Sequence, residues 1–177
     1  MGANDKGQLA DNPFGDAATV DGDNYLTPIT LAHEVVSIAA GWGQSLFVKT
    51  DGSLWAAGYN GSGELGDGTV VTRRSFVRVV DSDVTTAYAF GGTSFFVKTD
   101  GSLWAMGWNH FGGLGNGTLE SIRTPEKILP SGVVSVSSEA GHTLVLTLPG
   151  DLDGDGFDDA TEIAAGTDPN DPNSYPN

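Results

Sequence analysis

VKTDGSLWA fills Val48–Ala56 and returns, letter for letter, at Val97–Ala105, 49 positions further on. A catalytic centre has no use for a verbatim copy of itself, whereas a structural unit that stacks on its neighbours does. The copies lie inside a longer echo. GQSLFVKTDGSLWAAGYNGSGELGDGT (Gly43–Thr69) aligns without gaps on GTSFFVKTDGSLWAMGWNHFGGLGNGT (Gly92–Thr118), and a third unit starts at Gly141 as GHTLVLTLPGD. A partial unit opens the chain, where Met1–Asn12 matches Met106–Gly117.

Each unit reads as short antiparallel strands. Leu46–Thr50 and Ser53–Gly58 flank Asp51-Gly52, and Phe95–Thr99 and Ser102–Gly107 flank Asp100-Gly101. Asp-Gly between strand-like runs predicts a tight hairpin with both central residues left-handed. Leu54 and Ala56 take one face of the second strand and Trp55 the other, as do Leu103, Ala105 and Trp104. Leu65 and Leu114, set among glycines, are expected to plug the core. Further strands are expected over Val35–Ala40, Ser75–Val80, Glu126–Leu129 and Val133–Ser138. Four short strands per unit of this length is the pattern of propeller blades. The fold expected is all-β: a partial β-propeller of about three four-stranded antiparallel blades, the C-terminal part of a larger ring. Its repeats occupy residues 1–148, as a partial unit in 1–34 and blades beginning near 35, 84 and 133. An acidic tail follows over 149–177.

Composition agrees with a turn-rich β protein, since 26 of 177 residues are glycine. The formal net charge of −15 argues against nucleic-acid binding, because phosphates need a basic face. It disfavours anionic membrane surfaces for the same reason. Cysteine is absent, which removes disulfides and thiolate metal sites. No apolar run is long enough to span a bilayer as a helix. The N-terminal MGANDKGQLAD is too polar for a signal peptide.

These residues carry a family resemblance. The recurring DGSLWA-G-N…G-LG-GT resembles the regulator of chromosome condensation repeat, which implies a propeller. The His that usually precedes the second strand in that family is Gln44 and Thr93 here, and survives as His142. The resemblance covers about residues 1–148, starts in mid-blade and breaks off after one hairpin strand of the last unit. The chain is therefore expected to be the C-terminal portion of a longer protein with more repeats upstream.

After Gly150 the composition changes. DLDGDGFDDATEIAAGTDPNDPNSYPN has no Lys or Arg and eight carboxylates, six of them within Asp151–Glu162. The spacing is D-x-D-x-D-G-x5-E. Asp151, Asp153 and Asp155 fall at the first, third and fifth positions of an EF-hand-like calcium loop, and Gly156 at its sharp turn. Phe157 offers its carbonyl, Asp159 stands at the position often bridged by water, and Glu162 closes the loop as a bidentate ligand. Hard oxygen ligands in this number favour Ca²⁺ over Mg²⁺. A solvated acidic linker is the bland reading, but every ligand position is filled in phase. Asp158–Gly166 then reads as a short helix closed by Gly166. Because LVLTLPG, a strand, stands where an entering helix would, the tail resembles the bacterial thrombospondin type 3-like repeat. That resemblance implies a calcium-rigidified spacer on an exported or surface protein, and makes Asp168, Asn170 and Asp171 secondary ligand candidates.

Catalytic constellations are thin. His33, His110 and His142 occupy different repeat positions and form no metal spacing, and His142 reads as a structural blade residue. Glu64 sits in a loop that can face solvent, with Gly113 as its counterpart and no paired carboxylate. Trp42 and Trp108 read either as exposed anchors for a partner or as blade packing. Sequons at Asn60 and Asn116 fall on glycine turns. The chain is expected not to be an enzyme. The leading reading is a binding or scaffold module of an extracellular or cell-surface bacterial protein, taking a protein or surface glycan. The alternatives are a secreted enzyme inhibitor, as in a β-lactamase inhibitor built from similar repeats, and guanine-nucleotide exchange on a small GTPase.

Overall fold

Alternation between core-facing and outward residues turns each unit into a meander of strands. The computed structural model describes residues 6–8, 33–139, 141–147 and, in the tail, 150, 158–168, 170, 171 and 173. The first sheet contains β1 (Val35–Ala40), β2 (Gln44–Lys49), β3 (Leu54–Gly58) and β4 (Arg73–Val80), paired antiparallel in that order. The second repeats it with β5 (Val84–Phe90), β6 (Thr93–Lys98), β7 (Leu103–Gly107) and β8 (Ile122–Leu129). The third consists of two strands, β9 (Val133–Glu139) and β10 (His142–Thr147), because the sequence leaves the repeat before another Trp-bearing strand. Among the described residues there are thus two complete blades and half of a third.

The register repeats with the sequence. Phe47 faces Trp55 across β2 and β3, and Phe96 faces Trp104 across β6 and β7, each pair stacked at 7°. The alternate residues Leu54, Ala56, Leu103 and Ala105 are fully buried. Leu65 and Leu114 plug the core, at 0% and 1% exposure. Two apolar layers result. Leu46, Val48 and Leu54 of the first sheet meet Ala87, Phe96 and Met106 of the second, while Phe95, Val97 and Leu103 of the second meet Val136 and Val145 of the third.

The Asp-Gly turns differ from the sequence expectation. Only Gly52 and Gly101 are left-handed, both at φ 77°, and neither Asp51 nor Asp100 is. Gly52 donates its N–H to Lys49 at 2.9 Å while Lys49 donates to Ser53 at 3.0 Å, giving a three-residue loop that ends on the left-handed glycine. This leaves the aspartate free for another task. Asp51 Oδ1 accepts from the Ser53 N–H at 2.9 Å and from its hydroxyl at 2.6 Å, and the Trp55 indole donates to Ser53 Oγ at 2.9 Å. Asp100, Ser102 and Trp104 repeat the relay with the same distances.

The hairpins also seat the following blade. Val84 donates to the Gly52 carbonyl at 3.0 Å and Val133 to that of Gly101 at 3.1 Å. A Cβ on Gly52 would lie 2.6 Å from the Asp83 nitrogen, so glycine is required there by contact as well as by conformation. In the tail, α1 (Asp159–Ala165) forms as expected. Asp158 caps it by accepting from the Thr161 N–H at 2.9 Å, and Gly166, at φ 79°, ends it.

Candidate functional site

In a meander, the turn after the first strand and the loop after the third lie at the same end of the sheet. Here that end carries the β1–β2 turn (41–43), the β3–β4 loop (59–72), the β5–β6 turn (91–92) and the β7–β8 loop (108–121). The long loops hold no regular structure and need another source of order. It is a buried asparagine in each. Asn60, fully buried, accepts from the Leu65 N–H at 2.9 Å and donates to Asp67 Oδ1, Thr69 O and Val71 O at 3.0–3.2 Å. Asn109 does the same with Leu114, Asn116, Thr118 and Glu120 at 3.0–3.1 Å. Each amide satisfies both of its ends inside the protein, which fixes the loop. Asn60 is therefore unavailable as a glycosylation acceptor. Asp67 adds an ion pair with Arg73 at 2.7 Å. Burial works to raise the Asp67 pKa, but hydrogen bonds from Thr69 and Arg73 outweigh it and hold the carboxyl below its ordinary range.

These fixed loops present aromatic rings. Tyr59 donates its N–H to the Gly43 carbonyl at 2.7 Å, and Trp108 occupies the equivalent place on Gly92 at 2.9 Å. Trp42 donates its N–H to Gly91 at 3.0 Å, so Trp42 and Trp108 are anchored to adjacent glycines of one turn. Trp42 packs edge-on to Tyr59 at 6.2 Å, and Trp108 contacts His110 at 5.5 Å and Phe111 at 5.2 Å. Trp42 is 77% exposed and Phe111 71%, while Tyr59 and Trp108 are half-buried beneath them. An aromatic rim thus crosses from the first blade to the second. Tyr59 and Phe111 were not singled out from sequence, although the recurrence of an aromatic after each Trp-strand glycine is a usable signal.

Glu64 departs from the sequence expectation. It is 2% exposed rather than facing solvent, because Gly92 and Gly107 of the next blade close over it. Its carboxylate accepts from the Ser62 N–H at 2.8 Å. Burial pushes its pKa up, against the opposing pull of backbone N–H groups at 62–64. Gln44, in the place of the family's His, is also buried and reaches across the blades to donate to the Thr93 carbonyl at 3.3 Å. His142 is exposed on the two-stranded sheet, and the three histidines do not come together.

Of the metal ligands expected in the tail, Asp151, Asp153, Asp155 and Phe157 lie outside the described residues, as does the Glu162 side chain; the EF-hand-like loop is therefore not described. Asp159 is half-buried, and its N–H donates to the Gly150 carbonyl at 3.3 Å, closing the ends of the acidic segment on each other. Asp168 accepts from the Asn170 N–H at 3.0 Å and Asp171 from the Asn173 N–H at 3.1 Å, so both shape their own turns. Among the described residues no group of three or more potential ligands converges.

The sequence matches the family pattern of the regulator of chromosome condensation (RCC1) repeat at residues 35–64 and 100–146, and that of the bacterial TSP3 repeat at 151–172. No curated relative matches. Among solved structures the chain is similar to human WBSCR16, with a TM-score of 0.63 and 23% identity over 85% of this chain. It is also similar to Prp20p from Saccharomyces cerevisiae, a structure described together with that protein's binding to Gsp1p and histones. There the TM-score is 0.62 and identity 19% over 82% of this chain. The yeast protein bound to Kap60 matches at 0.58 and 23% over 75%. The chain spans 40%, 38% and 32% of the length of these structures. With the meander order, the copied hairpins and the paired apolar layers, these matches identify the sheets as RCC1 repeats of the β-propeller fold, followed by a bacterial TSP3 repeat.

Proposed function

We propose that this chain is a non-catalytic, protein-binding propeller module of an exported or cell-surface protein, and that it engages its partner through the aromatic rim. The single observation that carries the reading is Trp42, 77% exposed on a turn whose backbone is tied to the next blade. Fixed aromatic side chains supply contact area at little entropic cost, which is why they dominate binding hot spots. The repeats and the solved structures they resemble support a scaffold over a catalyst, and the net charge of −15 favours a partner other than nucleic acid. A surface glycan stacked on the same rings is the competing ligand. The test compares the native chain with Trp42→Ala/Phe111→Ala, both exposed positions, against cell-envelope proteins and a glycan array. A partner protein whose affinity drops about tenfold or more in the variant supports the reading. Equal retention overturns it, and loss of a glycan alone transfers the rim to sugars.

The tail is proposed as a calcium-stabilised spacer, on the donor spacing of Asp151–Glu162 and the TSP3 match. Carboxylates in that number repel one another, and a bound Ca²⁺ would neutralise them and order the loop. Calorimetry with CaCl₂ is expected to give a dissociation constant of about 10⁻⁴–10⁻³ M or tighter, lost in Asp155→Ala. Unchanged binding in that variant removes the assignment.

A further inference from the structure

Asn-Gly occurs twice in the chain, at Asn60-Gly61 and Asn116-Gly117, and the two pairs stand at different places in the repeat. Asparagine before glycine has a reaction of its own, in which the following backbone nitrogen attacks the side-chain amide; a side chain on the second residue would obstruct it. The fold treats the two pairs differently. Asn60 is fully buried, and its amide is held by Leu65, Asp67, Thr69 and Val71. The Tyr59 ring lies over Gly61, with its hydroxyl in the place a Cβ would take. Asn116 is half-buried and lines an open groove with Thr118, Glu120, Arg123 and Glu126, where water has access. Gly117 is exposed and left-handed at φ 77°, with nothing within 4 Å of where a Cβ would stand.

The bonds around Asn116 favour attack. Its Oδ1 accepts from Asn109 Nδ2 at 3.1 Å, from the Thr118 N–H at 3.1 Å and from the Thr118 hydroxyl at 3.0 Å. Three donors on that oxygen stabilise the negative charge that develops there as the nitrogen adds. We propose that Asn116 is a modification site of the folded chain, converted without an enzyme to aspartate and isoaspartate. Gly117 N gives its proton to solvent base and bonds to Asn116 Cγ; the Cγ–Nδ2 bond breaks, and ammonia leaves with a proton taken from water. Water then opens the cyclic imide at either carbonyl. The product meets a setting unlike that of its repeat counterpart, Asp67. Asp67 accepts in the same pattern from Asn60 and Thr69, but its charge is paired with Arg73 at 2.7 Å. Ile122 stands in the place of Arg73, and Asn116 Nδ2 donates instead to Glu126 Oε2 at 3.2 Å. A carboxylate at 116 exchanges that hydrogen bond for a like-charge contact. Isoaspartate also lengthens the main chain by one carbon and removes the turn onto Thr118. Both products loosen loop 108–121, whatever partner the rim takes.

Peptide mapping by mass spectrometry provides the test, on the full chain aged while folded in warm, mildly alkaline buffer made with ¹⁸O-water. Trypsin, cutting after Lys49, Arg73, Lys98 and Arg123, places Asn60 and Asn116 on separate peptides. The Asn116 peptide should exchange its amide for an acid carrying a heavy oxygen and split into aspartate and isoaspartate forms. Asn60 should react about tenfold more slowly or less, because its loop must open first. An intact Asn116, or equal rates at the two sites in the folded chain, overturns the proposal. In urea the two sites should react at similar rates; a difference that persists there belongs to the sequence and overturns the role given to the fold. Asn116→Asp reproduces the aspartate product. Its loop 108–121 should exchange amide hydrogens about two- to fivefold faster than in the native chain, with β5–β8 unchanged, and adding Glu126→Gln should restore the native rate. Native exchange in Asn116→Asp, or no rescue by Glu126→Gln, overturns the consequence drawn for the loop.

Discussion

Glu64 is enclosed between blades and takes a backbone N–H from Ser62, while the corresponding residue of the partial first unit, Gln8, takes one from Lys6 at 2.9 Å. An amide therefore satisfies the same bond without a charge. Burial raises the Glu64 pKa in the folded state, so this group favours folding most at low pH. That contribution is lost as pH rises from the ordinary value of 4.5 through the raised folded value. Glu64→Gln should stabilise the protein at pH 7 by on the order of 1 kcal/mol and leave it unchanged at acidic pH, where the native residue is already neutral. Thermal melts at the two pH values would show it. The opposite pH profile applies to Asp51 and Asp100, whose pKa values are lowered chiefly by the hydroxyls of Ser53 and Ser102; what they contribute is present at neutral pH and lost on acidification. Glu64 was not legible as buried because its enclosure comes from Gly92 and Gly107, residues of another blade. Trp42 was ambiguous for a related reason, since its repeat counterpart is Gly91 and the register gives it no face.

At the scale of the element, hairpins and long loops are ordered differently. The strands were legible because alternation and copying agree: Val35–Ala40 forms β1, while Ser75–Val80 and Glu126–Leu129 fall within β4 and β8. Turn type was not, because Asp-Gly permits two hairpin geometries and the choice rests on the Asp–Ser–Trp relay. In the glycine loops, Asn60 and Asn109 were readable only as recurring letters, and their role appears when four or more side-chain bonds are seen to converge on each. Asn109→Ala would take the partner from the Leu114 N–H and the Asn109 amide from the Thr118 and Glu120 carbonyls, while Asn116 Oδ1 keeps its bonds from Thr118. A loss of about 1–3 kcal/mol is expected in urea denaturation, with loop 108–121 exchanging amide hydrogens faster than the adjoining strands. Faster exchange spread evenly over β5–β8 would instead mean that the asparagine supports the whole blade.

On the scale of the molecule, stability resides in the layers between sheets. Leu103 is fully buried in the layer shared with the third sheet, so Leu103→Ala should cost about 2–5 kcal/mol. Equilibrium unfolding would measure it, and a cost below about 0.5 kcal/mol, typical of surface positions, would contradict the packing described. Because each blade contacts only its neighbours, the loss should fall most heavily on β5–β10 and less on β1–β4. Overall architecture was legible from the 49-residue period alone, since a period fixes which surfaces must meet. The third sheet's two strands were legible too, from the departure after Thr147. The rim was not: it is assembled from turns of two blades, and only the stack brings Trp42 and Trp108 to one pair of glycines.

The verbatim hairpin has a consequence for how the chain reaches this structure. Nine identical residues at Val48–Ala56 and Val97–Ala105 give the nascent protein no local means of telling one blade's hairpin from the other's. Either can dock between β1 and β4 or between β5 and β8 with the same backbone pairing, and the exchanged topology is a kinetic trap of the kind repeat arrays fall into. The residues that break the tie lie outside the copy. Ala57 against Met106, Gln44 against Thr93 and Glu64 against Gly113 differ in volume or charge, and Met106, Gln44 and Glu64 sit at the contact between the first two blades. The identity of each blade is thus checked late, at docking, which makes synthesis in order from the N-terminus a means of proofreading the fold.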